Sequence, residues 1–280
     1  VSDVIERYLN LIEGTLRSAL QSQPRVDEAD GTISMTRGLT FARLVIDAQW
    51  EGDAPAEPMR MRDSSVSVVA HPHSSAGASP SRPAIRVVDG AGHSRSMYAG
   101  LLAYAFSQCG VVRQEKSSEA STRLLARRSL PAADARDIVG ELWSSLTEPR
   151  GRDAVVHFAS MQRPSGEWFA RTDADNPEPL WYHELVALHA VTSAQARLTD
   201  IDLRNSIDRS ARYIAAEVQP DHASSQPWAI HALLGVPDGV YLADMMLHAA
   251  GVQQPATMDA VSLILLADAL DCLRGIDQRK

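Results

Sequence analysis

Residues able to do chemistry gather at three points of this chain, each at the start of an apolar stretch. They are Trp181-Tyr-His-Glu184, Asp221-His-Ala-Ser-Ser-Gln-Pro-Trp228 and Met258-Asp259. An acid–base pair can be drawn from His183 or His222 with Glu184 or Asp221. A neutral imidazole takes a proton near neutral pH, and a carboxylate holds it in one tautomer. Trp168, Trp181, Gln226 and Trp228 fall close to the same points, so they are the candidates for contacting a substrate. Capping explains several of these residues equally well. Asp221 and Ser225 suit the positions before Pro227-Trp228, and Glu184 lies in a first helical turn, where negative charge is favoured.

Metal binding is not expected, and no cofactor is implied. His183 and His189 do not share a helix face, and the zinc-binding pair of histidines one turn apart is absent. Asp244 and His248 do share a face and read as an intrahelical ion pair. His231 follows Trp228 on an apolar stretch; it reads as a hydrogen-bonded core histidine or as a pocket base. His71 and His73 fall in a long polar segment and read as solvated. Arg123, Arg127 and Arg128 make a basic cluster that suits a solvated helix face. Cys109 and Cys272 form no CxxC pair and read as inert core thiols, with a single disulfide as the alternative.

Composition narrows the function classes. The 280 residues carry 27 Lys and Arg against 35 Asp and Glu, a net charge of −8. Nucleic-acid binding needs clustered cations to neutralise phosphates, so it is excluded as an expectation. With 45% hydrophobic and 22% charged residues the chain is globular rather than disordered. No apolar run is long enough to span a membrane. The chain starts at Val1, which is compatible with a removed signal peptide; cytoplasm is the default expectation.

The elements that must position these residues are helices. Asp3–Leu20 carries apolar residues at three- and four-residue spacing, and Pro24 stops it. A second helix is expected over about 34–50. Residues 59–95 form an insertion rich in Ser, Pro and Gly. Within it Ser67–Ala70 and Ala84–Val88 read as a small β-hairpin or as part of a surface loop. From Ser96 onward helices are expected around 97–108, 118–129, 132–147, 152–162, 180–197, 202–218, 225–234, 240–250 and 259–273. No strand series alternates with them, so a parallel sheet is excluded.

A loose repeat organises this half. An amphipathic helix ends at a Gln with a Pro one or two positions later; a loop and a more uniformly apolar helix follow. The copies are Val155–Gln162 then Leu180–Val191, Ala211–Gln219 then Trp228–Leu234, and Leu242–Gln253 then Val261–Leu270. Leu9–Gln23 is a fainter copy. Paired helices of this kind suit two layers, the amphipathic member outside and the apolar member inside. The expectation is an all-α chain, residues 1–280 forming one α/α toroid of five to six helix pairs, with a linear solenoid as the alternative.

One segment carries a family likeness. Met161-Gln-Arg-Pro-Ser-Gly-Glu-Trp168 resembles the Gln–Trp motif of the squalene-hopene (terpenoid) cyclase superfamily, with Gln162, Gly166 and Trp168 at matching positions. Ser165 stands where that family favours Asp, and Glu167 where it favours Ser. The likeness implies the α/α toroid, which that family shares with protein prenyltransferases, lanthionine-forming cyclases and many sugar lyases and hydrolases. Asp173-Ala-Asp-Asn176 echoes the family's Asp-rich acid motif. By position Asp175 is then the general acid, although Asn176 replaces the last Asp.

Three functions follow as expectations. The likeness implies a central pocket for a small molecule. True polycyclisation is not expected, because cationic intermediates need a cavity lined with aromatic faces and Phe, Trp and Tyr make up only 5% of the chain. An alternative is an oligosaccharide lyase or hydrolase, with Trp168, Trp181 and Trp228 stacking on sugar rings and a His with Glu184 or Asp221 as base and acid. The third is a non-catalytic scaffold, recognisable by a pocket without a convergent His–carboxylate pair. Oligomeric state is open.

Overall fold

Two long helices among the described residues are buried on every side over most of their length. A computed structural model describes residues 2–22, 59–60, 66–71, 84–89, 96–108, 119–170, 177–198, 201–218, 224, 226–251 and 260–277. The helices among them are α1 (Ser2–Ser22), α2 (Ser96–Gln108), α3 (Glu119–Ala126), α4 (Ala135–Ser145), α5 (Gly151–Ser160), α6 (Pro177–Arg197), α7 (Arg204–Glu217), α8 (Ile230–Leu233), α9 (Gly239–Ala249) and α10 (Ala260–Asp277). A short 3₁₀ turn, Ala132–Asp134, leads into α4. The described residues are mostly helical, as the periodicity predicts. The helix expected over 34–50 lies outside the described residues.

In the insertion, β1 (Met59–Arg60), β2 (Val66–His71) and β3 (Ala84–Asp89) form an antiparallel sheet in the order β1-β2-β3. Val66 pairs with Asp89 and His71 with Ala84, the register expected of a hairpin joining the two β-branched runs.

Apolar patterning sets the layers. In α6 every residue from Glu184 to Ala194 is buried, and in α10 every residue from Val261 to Leu270. By contrast α5 buries one stripe containing Ala154, Val155 and Phe158, α7 one containing Ala211 and Ile214, and α9 one containing Leu242, Ala243 and Met246. Half-buried and fully buried helices therefore alternate along the C-terminal half, and α6 touches α4, α5, α7, α8 and α10. At the other end of the chain, Ile5, Tyr8, Ile12 and Leu16 of α1 are buried and the helix packs on α10. The Arg274 guanidinium reaches Glu13 at 2.6 Å across this contact. Asp244, expected to pair with His248, instead accepts the Tyr8 hydroxyl and lies 3.7 Å from Arg7. No helix among the described residues is long and apolar enough to cross a membrane.

The helix expected over 225–234 is shorter than the pattern implies. It forms only over Ile230–Leu233, because Ala229 before it sits in the left-handed region at φ 55° and Pro227 lies two residues earlier. The apolar run is buried as expected, but half of it is a turn.

At the loop after α5 the backbone of Gly166 takes φ 113°, and α7 passes directly over it. A Cβ there would stand 2.6 Å from the Arg209 carbonyl oxygen and 2.8 Å from the Tyr213 Cβ. Backbone strain and overpacking then act together, so Gly166→Ala should cost about 2–4 kcal/mol. Urea unfolding of the variant against the parent measures this directly.

Candidate functional site

The residues that carry the family likeness hold three helices together. Gln162 follows the end of α5. Its side-chain amide donates to the Gly166 carbonyl at 2.8 Å and to the Ser206 carbonyl of α7 at 2.9 Å. Its oxygen accepts the Ser206 hydroxyl at 2.8 Å. Trp168 is fully buried against Phe158, ring centroids 5.3 Å apart. The amides of Trp168 and Phe169 then donate to the Glu184 carboxyl of α6, at 2.9 Å and 2.8 Å. Glu184 thus ties the motif loop to the inner helix. Burial pushes its pKa up to about 8, against the pull of the Phe169 and Trp168 amides.

Deeper in the core, Asp268 of α10 gathers four donors. Its Oδ1 accepts the Arg197 guanidinium at 2.6 Å and the Tyr104 hydroxyl at 2.8 Å. Its Oδ2 accepts His189 Nε2 at 3.1 Å and the Ser193 hydroxyl. His189, Ser193 and Arg197 recur one helical turn apart, so one face of α6 presents all three. Burial opposes the Asp268 charge, but the Arg197 guanidinium and the His189 and Ser193 hydrogen bonds hold its carboxyl far below the usual carboxylate range.

His189 has both nitrogens engaged. The Ala229 amide donates to Nδ1 at 2.9 Å, so Nδ1 is an acceptor and Nε2 carries the proton given to Asp268. Burial lowers its pKa, although Asp268 pulls the other way, and the ring stays neutral. Trp143 and Trp228 surround it at 5.7 Å and 5.5 Å, and both are wholly buried.

Against the His189 edge, with centroids 4.5 Å apart, stands His231 of α8. Its residue is 3% exposed, yet neither ring nitrogen has a hydrogen-bond partner among the described residues. Burial first, and then the neighbouring His189, lower its pKa well below the ordinary histidine value. His231 lines a cleft of about 640 Å³ between α6, α7, α8 and α10. Ala196, Ile207, Ala232 and Gly235 supply apolar wall; Thr192, Gln195 and Asn205 supply polar wall. The Cys272 thiol, free and buried, also lines it; burial pushes its pKa up to about 12.

The residues expected from sequence are distributed differently. His183 sits in α6 beside the Tyr182 ring, half-buried, and Glu184 next to it turns to the motif loop. Trp168, Gln226 and Trp228 are buried in the core, and Trp181 packs against it. None of these residues lines the cleft among the described lining residues. Asp175, Asp221 and His222 lie outside the described residues. The structure brings together a different set, His189, Ser193, Arg197, Asp268 and His231. A sequence signal for it existed: polar residues at turn spacing on one face of apolar α6, and a lone Asp within the apolar run of α10. Among the described residues no group of three His, Cys, Asp or Glu side chains is arranged to hold a metal.

Two outcomes follow. Asp268→Asn leaves the Arg197 guanidinium without its buried counter-charge and should destabilise by about 3–5 kcal/mol in denaturant unfolding. For Glu184 the folded pKa is raised from 4.5 to about 8. The stability it contributes is full below the unfolded value and is lost as pH rises through the folded one. Glu184→Gln removes that titration, so its urea midpoint should change less than the parent's between about pH 5 and pH 8.

Compared with protein-family models, with curated proteins and with solved structures, the chain matches none of them.

Proposed function

We propose that this chain is a small-molecule-binding protein of the α/α-toroid kind, and that its ligand occupies the cleft over His231. The single observation carrying the binding reading is the His231 ring itself. A buried imidazole with two unpartnered nitrogens costs about 1–3 kcal/mol per unsatisfied group, and it stands at the wall of a cleft large enough for a ligand. Toroid closure is supported by the alternation of half-buried and fully buried helices, by the packing of α1 on α10, and by the Gln162–Gly166–Trp168 clamp that fastens successive helices.

Binding is favoured over catalysis by the placement of the His–carboxylate pair. His189 and Asp268 are sealed in the core with their hydrogen-bonding capacity occupied, and no described carboxylate bonds to His231. Polycyclisation gains no support, since Trp143, Trp168 and Trp228 are packed into the core. Of the three tryptophans the oligosaccharide alternative invokes, Trp168 and Trp228 offer no free face on which a sugar ring can stack, and Trp181 is half-buried against the core, away from the cleft lining.

Nitrogen NMR on protein with isotope-labelled histidine, combined with a fragment screen, tests this. Bound fragments are expected to shift the His231 ring resonances. His231→Leu should weaken their binding roughly tenfold, the worth of one hydrogen bond, while the melting temperature holds or rises because an unsatisfied buried imidazole is removed. Fragments that bind only elsewhere, or a His231→Leu protein that loses stability with no change in affinity, would show His231 to be structural.

A further inference from the structure

Resting on the binding reading just given, we propose that the cleft takes an uncharged, largely apolar molecule carrying a hydroxyl group, and that this hydroxyl donates its proton to His231. The argument starts from the charges of the wall. Arg204 is paired with Asp202 at 2.7 Å, and Asp208 with Arg212 at 2.7 Å. Each described ionic side chain of the lining therefore already has its counter-charge within the chain. Arg197, behind the cleft, is held by Asp268, and the Cys272 thiol takes an N–H from Arg197 at 3.5 Å. The two pairs are solvent-exposed, so the cost falls on a charged ligand group seated deeper, against His231, which would leave water and meet no unpaired opposite charge among the described lining residues.

The polar wall selects further. Thr192 donates its hydroxyl to the Leu188 carbonyl at 2.7 Å. Gln195 uses its oxygen on the Leu203 amide at 2.5 Å and its nitrogen on the Ile201 carbonyl at 3.4 Å. Both side chains are turned to the protein's own backbone, and Asn205, the third polar residue of the wall, is exposed to water. His231 is different. His189 cannot satisfy it, because both His189 nitrogens are engaged elsewhere, and the two rings meet edge to face. A neutral imidazole keeps one lone pair and one N–H unpaired, and an alcohol complements such a lone pair without bringing a charge. Ala196, Ile207 and Ala232 then accommodate the apolar remainder of the molecule.

The test is a titration of the wild-type full chain with four probes of similar length: 1-hexanol, methyl pentyl ether, hexanoate and hexylammonium. Calorimetry gives affinity, and nitrogen NMR of labelled histidine gives the site. The expected order is hexanol first, with the ether roughly five- to tenfold weaker because it cannot donate, and both ions at least about tenfold weaker than hexanol. Hexanol alone should move the acceptor nitrogen of His231. In His231→Leu the preference for hexanol over the ether should vanish. If hexanoate or hexylammonium binds as well as hexanol and perturbs His231, the ligand class is wrong while the cleft remains a binding site. If the ether equals hexanol, the hydroxyl contact is wrong. If none of the four perturbs His231 at any concentration reached, the binding reading beneath this inference falls with it. The wild-type series decides these outcomes without any variant.

Discussion

A carboxylate sealed in a helical core governs this structure. Asp268, 1% exposed, cannot be ionised away from water unless its lone pairs are filled, and the fold fills them from two helices: Tyr104 of α2 and His189, Ser193 and Arg197 of α6. Each donor has directional demands that a leucine would not have. The rotation of α6 about its axis, its register along α10 and the depth of α2 are therefore set by one group. Apolar packing alone leaves such choices loosely specified, since a buried stripe can slide by a turn at modest cost. A satisfied polar hub makes the slipped arrangements expensive, because each would orphan a buried charge.

The same constraint reaches outward in steps. His189 gives its proton to Asp268, which leaves Nδ1 to accept the Ala229 amide and so pins the turn ahead of α8. Ala229 tolerates a left-handed backbone because that bond helps hold it there. Two residues on, His231 is set against His189 and faces the cleft. A second clamp, independent of the first, operates at the other end of α6, where Glu184 takes the amides of the motif loop and Gln162 fastens that loop to α7. Between them the two clamps hold a helix that is buried on every side from Glu184 to Ala194.

Much of this was legible before any coordinates. The helix pattern, the alternation of amphipathic and fully apolar members and the β-branched pair in the insertion depend on local periodicity, which a sequence displays openly. The candidate site was less legible for a physical reason. Glu184 and Trp168 stand near expected helix starts, but position along the chain does not say whether a carboxylate faces a cavity or a neighbouring loop. Its partners, the amides of Trp168 and Phe169, belong to every residue and leave no mark in composition. Asp268 and the His189–Ser193–Arg197 face did leave a mark, as polar residues interrupting apolar helices. Recognising them as one cluster requires knowing that α6 and α10 are neighbours, which is a tertiary fact. The α8 boundary departs from the apolar pattern because such a run does not distinguish a buried helix from a buried turn, and a left-handed Ala has no sequence signature.

Among the described residues His231 is the buried side chain in which two polar atoms lack a partner; the buried Trp143, Trp168 and Trp228 indoles leave one N–H each. Gln162, Glu184, His189, Ser193 and Asp268 are each answered by the chain, several of them more than once. His231 lies among these answered groups, in a setting where an apolar side chain of similar size would remove an unsatisfied imidazole. It also follows a backbone residue held in an unfavourable conformation, so two local costs fall within three residues of each other beside the same cleft. Two such costs beside one cleft are of the kind that something outside the chain can offset. The ring nitrogens of His231 are the place where that compensation would be made, and the closed charge pairs around the cleft restrict what can make it to a neutral hydrogen-bonding molecule.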